Sequence, residues 1–230
     1  MEETRKPGTL YIVATPIGNL EDITLRGLRT LRKVAAIACE DTRRTLKLLN
    51  KYRIRKELVS YFQPRENRKI PVILNMLRAG KDIALVSDSG TPGISDPGFR
   101  LVKEALREGL AVVPIPGPTA LAAALSASGL STHRFLFMGF PSPRKEAMKK
   151  TLASRGAEEA TLIFYIPARK AVDFLEATVD TLGNRPLVLA REITKIHEEF
   201  IRGTAQEVLK SIKKRPIKGE IIILIAKLER

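Results

Sequence analysis

The chain predicts an α/β protein of two domains: a parallel five-stranded sheet with helices on both faces, then an α+β domain with a mixed sheet. Three observations predict this. Apolar stretches of strand length alternate with helix-period segments five strands deep through the first half, the pattern of a parallel sheet buried on both sides. Three chemistry-bearing loops, residues 15–22, 40–42 and 87–98, each follow a strand. Right-handed crossovers put such loops on one edge of the sheet, where open α/β sheets keep their ligands. In the second half, the strand-like segments 187–191 and 199–202 succeed each other closely, which implies an antiparallel pair.

Residues 10–14 read as the first strand. A helix then starts from Thr24 as N-cap, with Leu25, Leu28 and Leu31 on one face beside Arg26, Arg29 and Arg32. Residues 34–39 form a buried strand ending at Glu40-Asp41, and a basic helix spans 42–50. Strand 58–61 is followed by helix 70–79, closed by Gly80. Strand 82–87 runs into a loop whose Gly90, Gly93 and Gly98, with Pro92 and Pro97, fix the backbone and let a ligand approach it closely. Helix 99–108 turns Leu101, Val102, Ala105 and Leu106 inward and stops at Gly109 before strand 110–115. The turn Pro116-Gly117-Pro118-Thr119-Ala120 is the expected junction, giving domains 1–117 and 118–230. An alanine-rich helix, 119–128, opens the second domain. Strands 135–139, 161–166, 187–191, 199–202 and 220–226 follow, interspersed with helices 145–153, 169–182 and 205–212.

A hydrophobic share of 44% supports real cores, and no apolar run approaches the length of a membrane span. Residues 1–6 lack the layout of a signal peptide, so a cytoplasmic protein is expected. One cysteine excludes a disulfide framework, and two histidines are too few for a zinc site, so no metal centre is expected. Forty basic residues against 25 acidic ones give a net charge of +15, which favours a polyanionic partner. The bland alternative is a charge-rich protein from a hot habitat, since Gln and Asn are scarce. Distribution favours the polyanion: Arg43, Arg44, Lys47, Lys51, Arg53, Arg55 and Lys56 form a run without an acid. Arg65, Arg68 and Lys69 extend it, and Arg144, Lys145, Lys149 and Lys150 form a second cluster.

The first loop has a single glycine, Gly18, so the G-x-G-x-x-G dinucleotide fingerprint is absent, as is the G-x-x-x-x-G-K-[ST] phosphate cradle. There is no G-x-S-x-G elbow to make Ser87, Ser89 or Ser95 a hydrolytic nucleophile. Cys39 reads as a core residue before it reads as a reactive thiol. Asp88 and Asp96 give their loop negative charge, suited to a cationic or hydroxyl-rich ligand. What remains is a ligand held by main-chain groups and apolar walls, such as S-adenosylmethionine.

Several motifs in one order carry a resemblance. Residues 11–24 (YIVATPIGNLEDIT), Glu40-Asp41-Thr42-Arg43, residues 87–98, Pro116-Gly117-Pro118-Thr119-Ala120 and residues 190–199 (AREITKIHEE) are similar to the tetrapyrrole-methylase fold family. They resemble most its bacterial branch that methylates small-subunit ribosomal RNA on a ribose 2′-oxygen. The resemblance implies an S-adenosylmethionine cofactor in a cleft between two domains, a homodimer, and 16S ribosomal RNA or the small subunit as partner. It points to a decoding-centre cytidine, position 1402. Carried over by position, cofactor contacts are Pro16, Ile17, Gly18, Asp88, Ser89, Gly90, Thr91, Pro92, Ile94, Pro118, Thr119 and Ala120, with Tyr165, Ile166 and Ala190 from the second domain. Tetrapyrrole-methylating relatives carry a glycine-rich first loop and a Gly-Asp-Pro turn. Here Thr15-Pro16-Ile17-Gly18 and Gly90-Thr91-Pro92 stand instead, which argues against a tetrapyrrole substrate.

Methylating a ribose hydroxyl needs an acceptor for its proton. Glu40, Asp41, Asp88 and Glu198 are the carboxylates to test, each of which could equally cap a helix or pair with an arginine. The basic runs, Arg43 to Lys56 and Arg144 to Lys150, with Arg144 and Lys145 foremost in the second, are expected to hold RNA phosphates. Two alternatives stay open: a methyltransferase of this fold acting on a corrinoid, a porphyrin or a protein side chain, and a non-catalytic RNA-binding protein.

Overall fold

The computed structural model describes residues 6–63 and 66–228. Residues 1–5, and with them most of the segment read for a signal peptide, lie outside the described residues, as does Arg65. The described chain forms two compact units divided between Thr119 and Ala120, two residues beyond the expected junction.

The first unit is the alternating half. Its strands are β1 (Thr9–Val13), β2 (Ala36–Cys39), β3 (Glu57–Ser60), β4 (Ile83–Val86) and β5 (Ala111–Ile115). They form one sheet in the order β3-β2-β4-β1-β5, and every pairing is parallel. Helices α1 (Leu25–Lys33), α2 (Thr42–Lys51), α3 (Glu66–Arg78) and α4 (Phe99–Arg107) are the crossovers. Strands β2 and β4 are buried at every position because apolar layers cover both faces. On one face Ile73, Leu77, Leu101 and Ala105 pack over Leu10, Ile83 and Leu85; on the other Leu28, Leu31, Leu48 and Leu49 pack over Val13, Ile37 and Val86. Because all strands run the same way, every β-to-α loop leaves from one edge.

Thr24 does cap α1, its side chain accepting from the Gly27 amide at 2.9 Å. Helix α3 differs from expectation by starting at Glu66 and not at Ile70. The extra turn is held by tertiary bonds: the buried Glu66 accepts from the Tyr61 hydroxyl at 3.0 Å and lies 3.7 Å from the Arg100 guanidinium. Hydrophobic period does not register such a polar anchor.

The second unit carries α5 (Ala120–Ser126), β6 (Phe135–Gly139), α6 (Lys145–Ser154), β7 (Thr161–Pro167), α7 (Ala171–Leu182), β8 (Pro186–Arg191), β9 (Glu199–Thr204), α8 (Ala205–Lys214) and β10 (Glu220–Ile225). Its sheet runs β6-β7-β10-β8-β9, with β6 and β7 parallel and the remaining pairs antiparallel. The close pair β8 and β9 is antiparallel, register running from Pro186↔Thr204 to Arg191↔Glu199. One face packs under α6, α7 and α8 through residues such as Leu152, Phe174, Leu175 and Val208; the other carries α5. Among the described residues no helix is long and apolar enough to cross a membrane.

Candidate active site

At the carboxyl edge of the parallel sheet, the loops after β1, β4 and β5 are tied to one another. Thr15 and Gly90 exchange both backbone hydrogen bonds, at 2.8 and 3.0 Å, so the first loop and the glycine-rich loop share a short bridge. The buried Thr15 hydroxyl donates to the Ser87 carbonyl at 3.1 Å, and the Thr91 hydroxyl donates to the Pro118 carbonyl at 3.2 Å. A Cβ on Gly90 would lie 3.3 Å from Ile17 Cγ2 and 3.7 Å from the Pro118 oxygen, with φ at +82°. Glycine at 90 therefore lets the three loops close together. Of the expected cofactor contacts, Ile17, Gly90, Thr91 and Pro118 are brought into one constellation. Pro16, Ile17 and Pro92 are buried and Gly18 is exposed, so the same loops offer apolar walls and open backbone. Tyr165, Ile166 and Ala190 belong to the second unit, on β7 and β8.

The loop after β2 brings carboxylates to this edge. Asp88 Oδ1 accepts from the Asp41 amide at 2.9 Å, and Asp88 Oδ2 lies 3.6 Å from Arg44 Nε. Asp41 caps α2 by accepting from the Arg43 amide at 2.8 Å, and pairs with the Arg43 guanidinium at 2.8 and 3.1 Å. These bonds hold its carboxyl down at about 2, which makes Asp41 a cap and a poor proton acceptor. Burial raises the Glu40 carboxyl above its ordinary range, and Asp88 adds to the effect. Asp96 is pushed furthest, up to about 7, by burial and then by Glu40 and Asp88, against a lowering hydrogen bond from Ser87. The group titrates near neutrality chiefly because it is buried, with the Glu40 and Asp88 carboxyls adding to the effect.

Asp96 was read from the sequence as loop charge and not as a proton acceptor. The available signal was its place eight residues after Asp88 in a loop that must fold back on itself: Gly90, Gly93, Ser95 and Gly98 all have positive φ. Glu198, by contrast, lies in the second unit and accepts from the Thr194 amide at 2.6 Å. Cys39 is fully buried, and burial pushes its thiol up, as expected of a core residue. Among the described residues no group of three or more His, Cys, Asp or Glu is arranged to hold a metal ion.

The basic run divides in two. Arg43 and Arg44 face the acidic edge, where they pair with Asp41 and Asp88. Lys47, Lys51, Arg53 and Arg55 are exposed and make no ion pair among the described residues. Arg144 is exposed at the N-cap of α6, whereas Lys145 pairs with Glu176 at 3.3 Å.

Residues 9–209 match the family described as Tetrapyrrole (Corrin/Porphyrin) Methylases. The chain belongs to that family. Among curated relatives it is 44% identical over 219 residues to "Ribosomal RNA small subunit methyltransferase I" of Thermotoga maritima, spanning 95% of this chain and 98% of that one. The proteins of the same name from Halalkalibacterium halodurans and Hydrogenobaculum sp. are each 47% identical, covering 95% of this chain and 75% and 95% of theirs. Solved structures show the shared fold at lower identity. A diphthine synthase superposes with a TM-score of 0.74 at 15% identity, covering 97% of this chain and 92% of its own. A cobalt-precorrin-4 methyltransferase of cobalamin biosynthesis gives 0.70 at 18%, covering 95% and 94%.

Proposed function

We propose that this protein is an S-adenosylmethionine-dependent methyltransferase of small-subunit ribosomal RNA, acting on the ribose 2′-oxygen of cytidine 1402 in 16S RNA. The observation that carries the reading is identity of 44–47%, over 95% of the chain, to relatives that share one printed name. The net charge of +15, with Lys47, Lys51, Arg53 and Arg55 exposed and without an ion pair among the described residues, supports a polyanionic substrate. The reading includes a homodimer working in the cytoplasm.

The donor, when bound, supplies an electrophilic methyl group on a sulfonium. The loop chemistry fits such a group: Gly90 lets the Ile17 and Pro118 loops close together, Ile17 and Pro92 are apolar, and Glu40, Asp88 and Asp96 favour positive charge. In this reading Pro16, Ile17, Gly18, Ser89, Thr91, Ile94, Pro118 and Thr119 hold the donor from the first unit. Ala120, Tyr165, Ile166 and Ala190 contribute from the second.

The chain's own task is to hold the acceptor oxygen in line and to receive its proton. Asp96 and Glu40 suit the second role because their raised affinity for a proton brings them towards the working pH. Asp88, fixed by the Asp41 amide and facing Arg44, orients the loop.

Naked 16S RNA and small subunits from cells lacking the gene, incubated with the protein and labelled donor, test the reading. One new 2′-O-methyl group at cytidine 1402 is the expected product. Methylation of a base, of another nucleotide, or of a tetrapyrrole in place of RNA overturns it.

A further inference from the structure

The edge of the second sheet where β6, β7 and β8 end, and where β10 begins, carries a loop with unusual backbone. Residues 192–198 join β8 to β9, and two of them, Glu192 at φ 49° and Thr194 at φ 67°, sit in the left-handed region. Neither is glycine, and for β-branched threonine the conformation is a real strain. The surrounding groups over-determine it. The Glu192 carboxylate accepts from the Glu220 amide at 2.9 Å and from Lys195 Nζ at 3.1 Å, and Lys195 reaches Glu220 at 2.8 Å. Glu198 closes the turn on the Thr194 amide. The Arg191 guanidinium donates to the carbonyls of His197 and Lys218 and pairs with Glu199, which also pairs with Arg215. Ile193 packs on the apolar face with Tyr165 and Phe200.

What this scaffold presents is Ile196, 98% exposed. A scattered exposed isoleucine needs no explanation, but one held out by a strained and clamped loop does. The charges around it indicate the partner. Glu192, Glu198, Glu199 and Glu220 are engaged in holding the loop, and Glu176 and Asp173 pair with lysines. Arg144, Arg169 and Lys218, in the neighbouring loops of the same edge, are exposed and make no ion pair among the described residues. These three cations share the edge with an apolar tip that is flanked by the exposed Glu198 carboxylate, and Glu146 is exposed next to Arg144.

We propose that the 192–198 loop is an RNA wedge: Ile196 inserts against the bases beside the target nucleotide and unstacks them, while Arg144, Arg169 and Lys218 hold the flanking phosphates. Apolar side chains inserted between base steps act this way in other nucleic-acid complexes, and exposing a stacked nucleotide for chemistry carries an unstacking cost that such a wedge offsets. The proposal rests on RNA being the substrate.

The test compares wild type, Ile196→Ser and Ile196→Leu on two RNAs of the same sequence around the target, one a folded hairpin and one an unstructured oligonucleotide. A 2-aminopurine beside the target reports unstacking in the absence of donor. Ile196→Ser is expected to lose about tenfold in kcat/KM on the hairpin, roughly the worth of one base contact. It should also lose the fluorescence rise, stay within about twofold on the oligonucleotide, and unfold at an unchanged Tm. Ile196→Leu should restore the hairpin activity. Equal losses on both RNAs, or none, overturn the wedge while leaving the methyltransferase reading intact. Ile196→Ser that methylates normally but no longer self-associates assigns the residue to an interface between copies, and also overturns it. A wild-type protein that gives no fluorescence rise on the hairpin also overturns the wedge, whereas the functional reading stands or falls with the 16S RNA and small-subunit assay.

Discussion

The loop after β4 and the loop after β8 both need left-handed backbone, and they obtain it in opposite ways. Residues 87–98 place glycine at three of their four positive-φ positions, with Ser95 the exception. Residues 192–198 have no glycine and hold Glu192 and Thr194 in that region through side-chain bonds to Glu220, Lys195 and Glu198. Glycine makes the conformation locally cheap, leaving the loop's surface to backbone and small residues. The clamped loop instead depends on its neighbours, and in return it projects full side chains.

The contrast breaks first, if it is wrong, at Gly90. Valine there would meet Ile17 and the Pro118 carbonyl in a conformation that β-branched residues avoid. The variant should lose about 2–3 kcal/mol of stability and at least about a hundredfold in donor affinity by calorimetry; wild-type affinity would remove the loop from the binding site.

Asp96→Asn tests the chemistry of the same loop. Its raised carboxyl binds a proton more tightly in the folded protein than in the unfolded chain. The stability it contributes is present below the ordinary aspartate range and fades as pH rises to about 7. Wild type should therefore lose stability relative to Asp96→Asn between pH 4 and 7, by less than about 1.4 kcal/mol per pH unit, and run parallel to it above. If Asp96 takes the proton, wild-type kcat/KM climbs through neutrality, and the asparagine variant should be about tenfold or more slower without that climb.

The clamped loop should respond to its clamps. Glu192→Ala is expected to cost about 1–2 kcal/mol in chemical denaturation, because it unties the Glu220 amide and Lys195. Adding Thr194→Gly should recover part of the loss by removing strain. A double variant no more stable than the single one would show that the strain does not reside at Thr194. The smallest effect belongs to Ser95→Gly, where relief of positive φ and the added freedom of the unfolded chain nearly cancel, within about 0.5 kcal/mol.

Legibility in the sequence follows the same divide. The parallel sheet could be read because apolar stretches covered on both faces leave a strong periodic trace, and Thr24 announced its helix by its own chemistry. The loop at 87–98 was visible because glycine and proline record backbone demands directly. Asp96 was visible as charge only, since its proton affinity depends on burial and on Glu40, which sits on a different strand end. Helix α3 was read short because its first turn hangs on Glu66 bonding Tyr61 and facing Arg100, contacts without a sequence period. The motif at residues 190–199 was legible as a resemblance; its left-handed residues carry no local mark at all.

By itself the amino-acid order determined which segments are strands and helices, that the first sheet is parallel, and which turns collect at its carboxyl edge. Those properties follow from short-range periodicity and from backbone limits particular to glycine and proline. The tertiary structure alone decided which carboxyl titrates near neutrality, that Arg43 and Arg44 pair with Asp41 and Asp88, and that Ile196 stands clear on a clamped loop. Each of these depends on electrostatic or steric contact between residues far apart in the chain, and such contact exists only once the chain has folded.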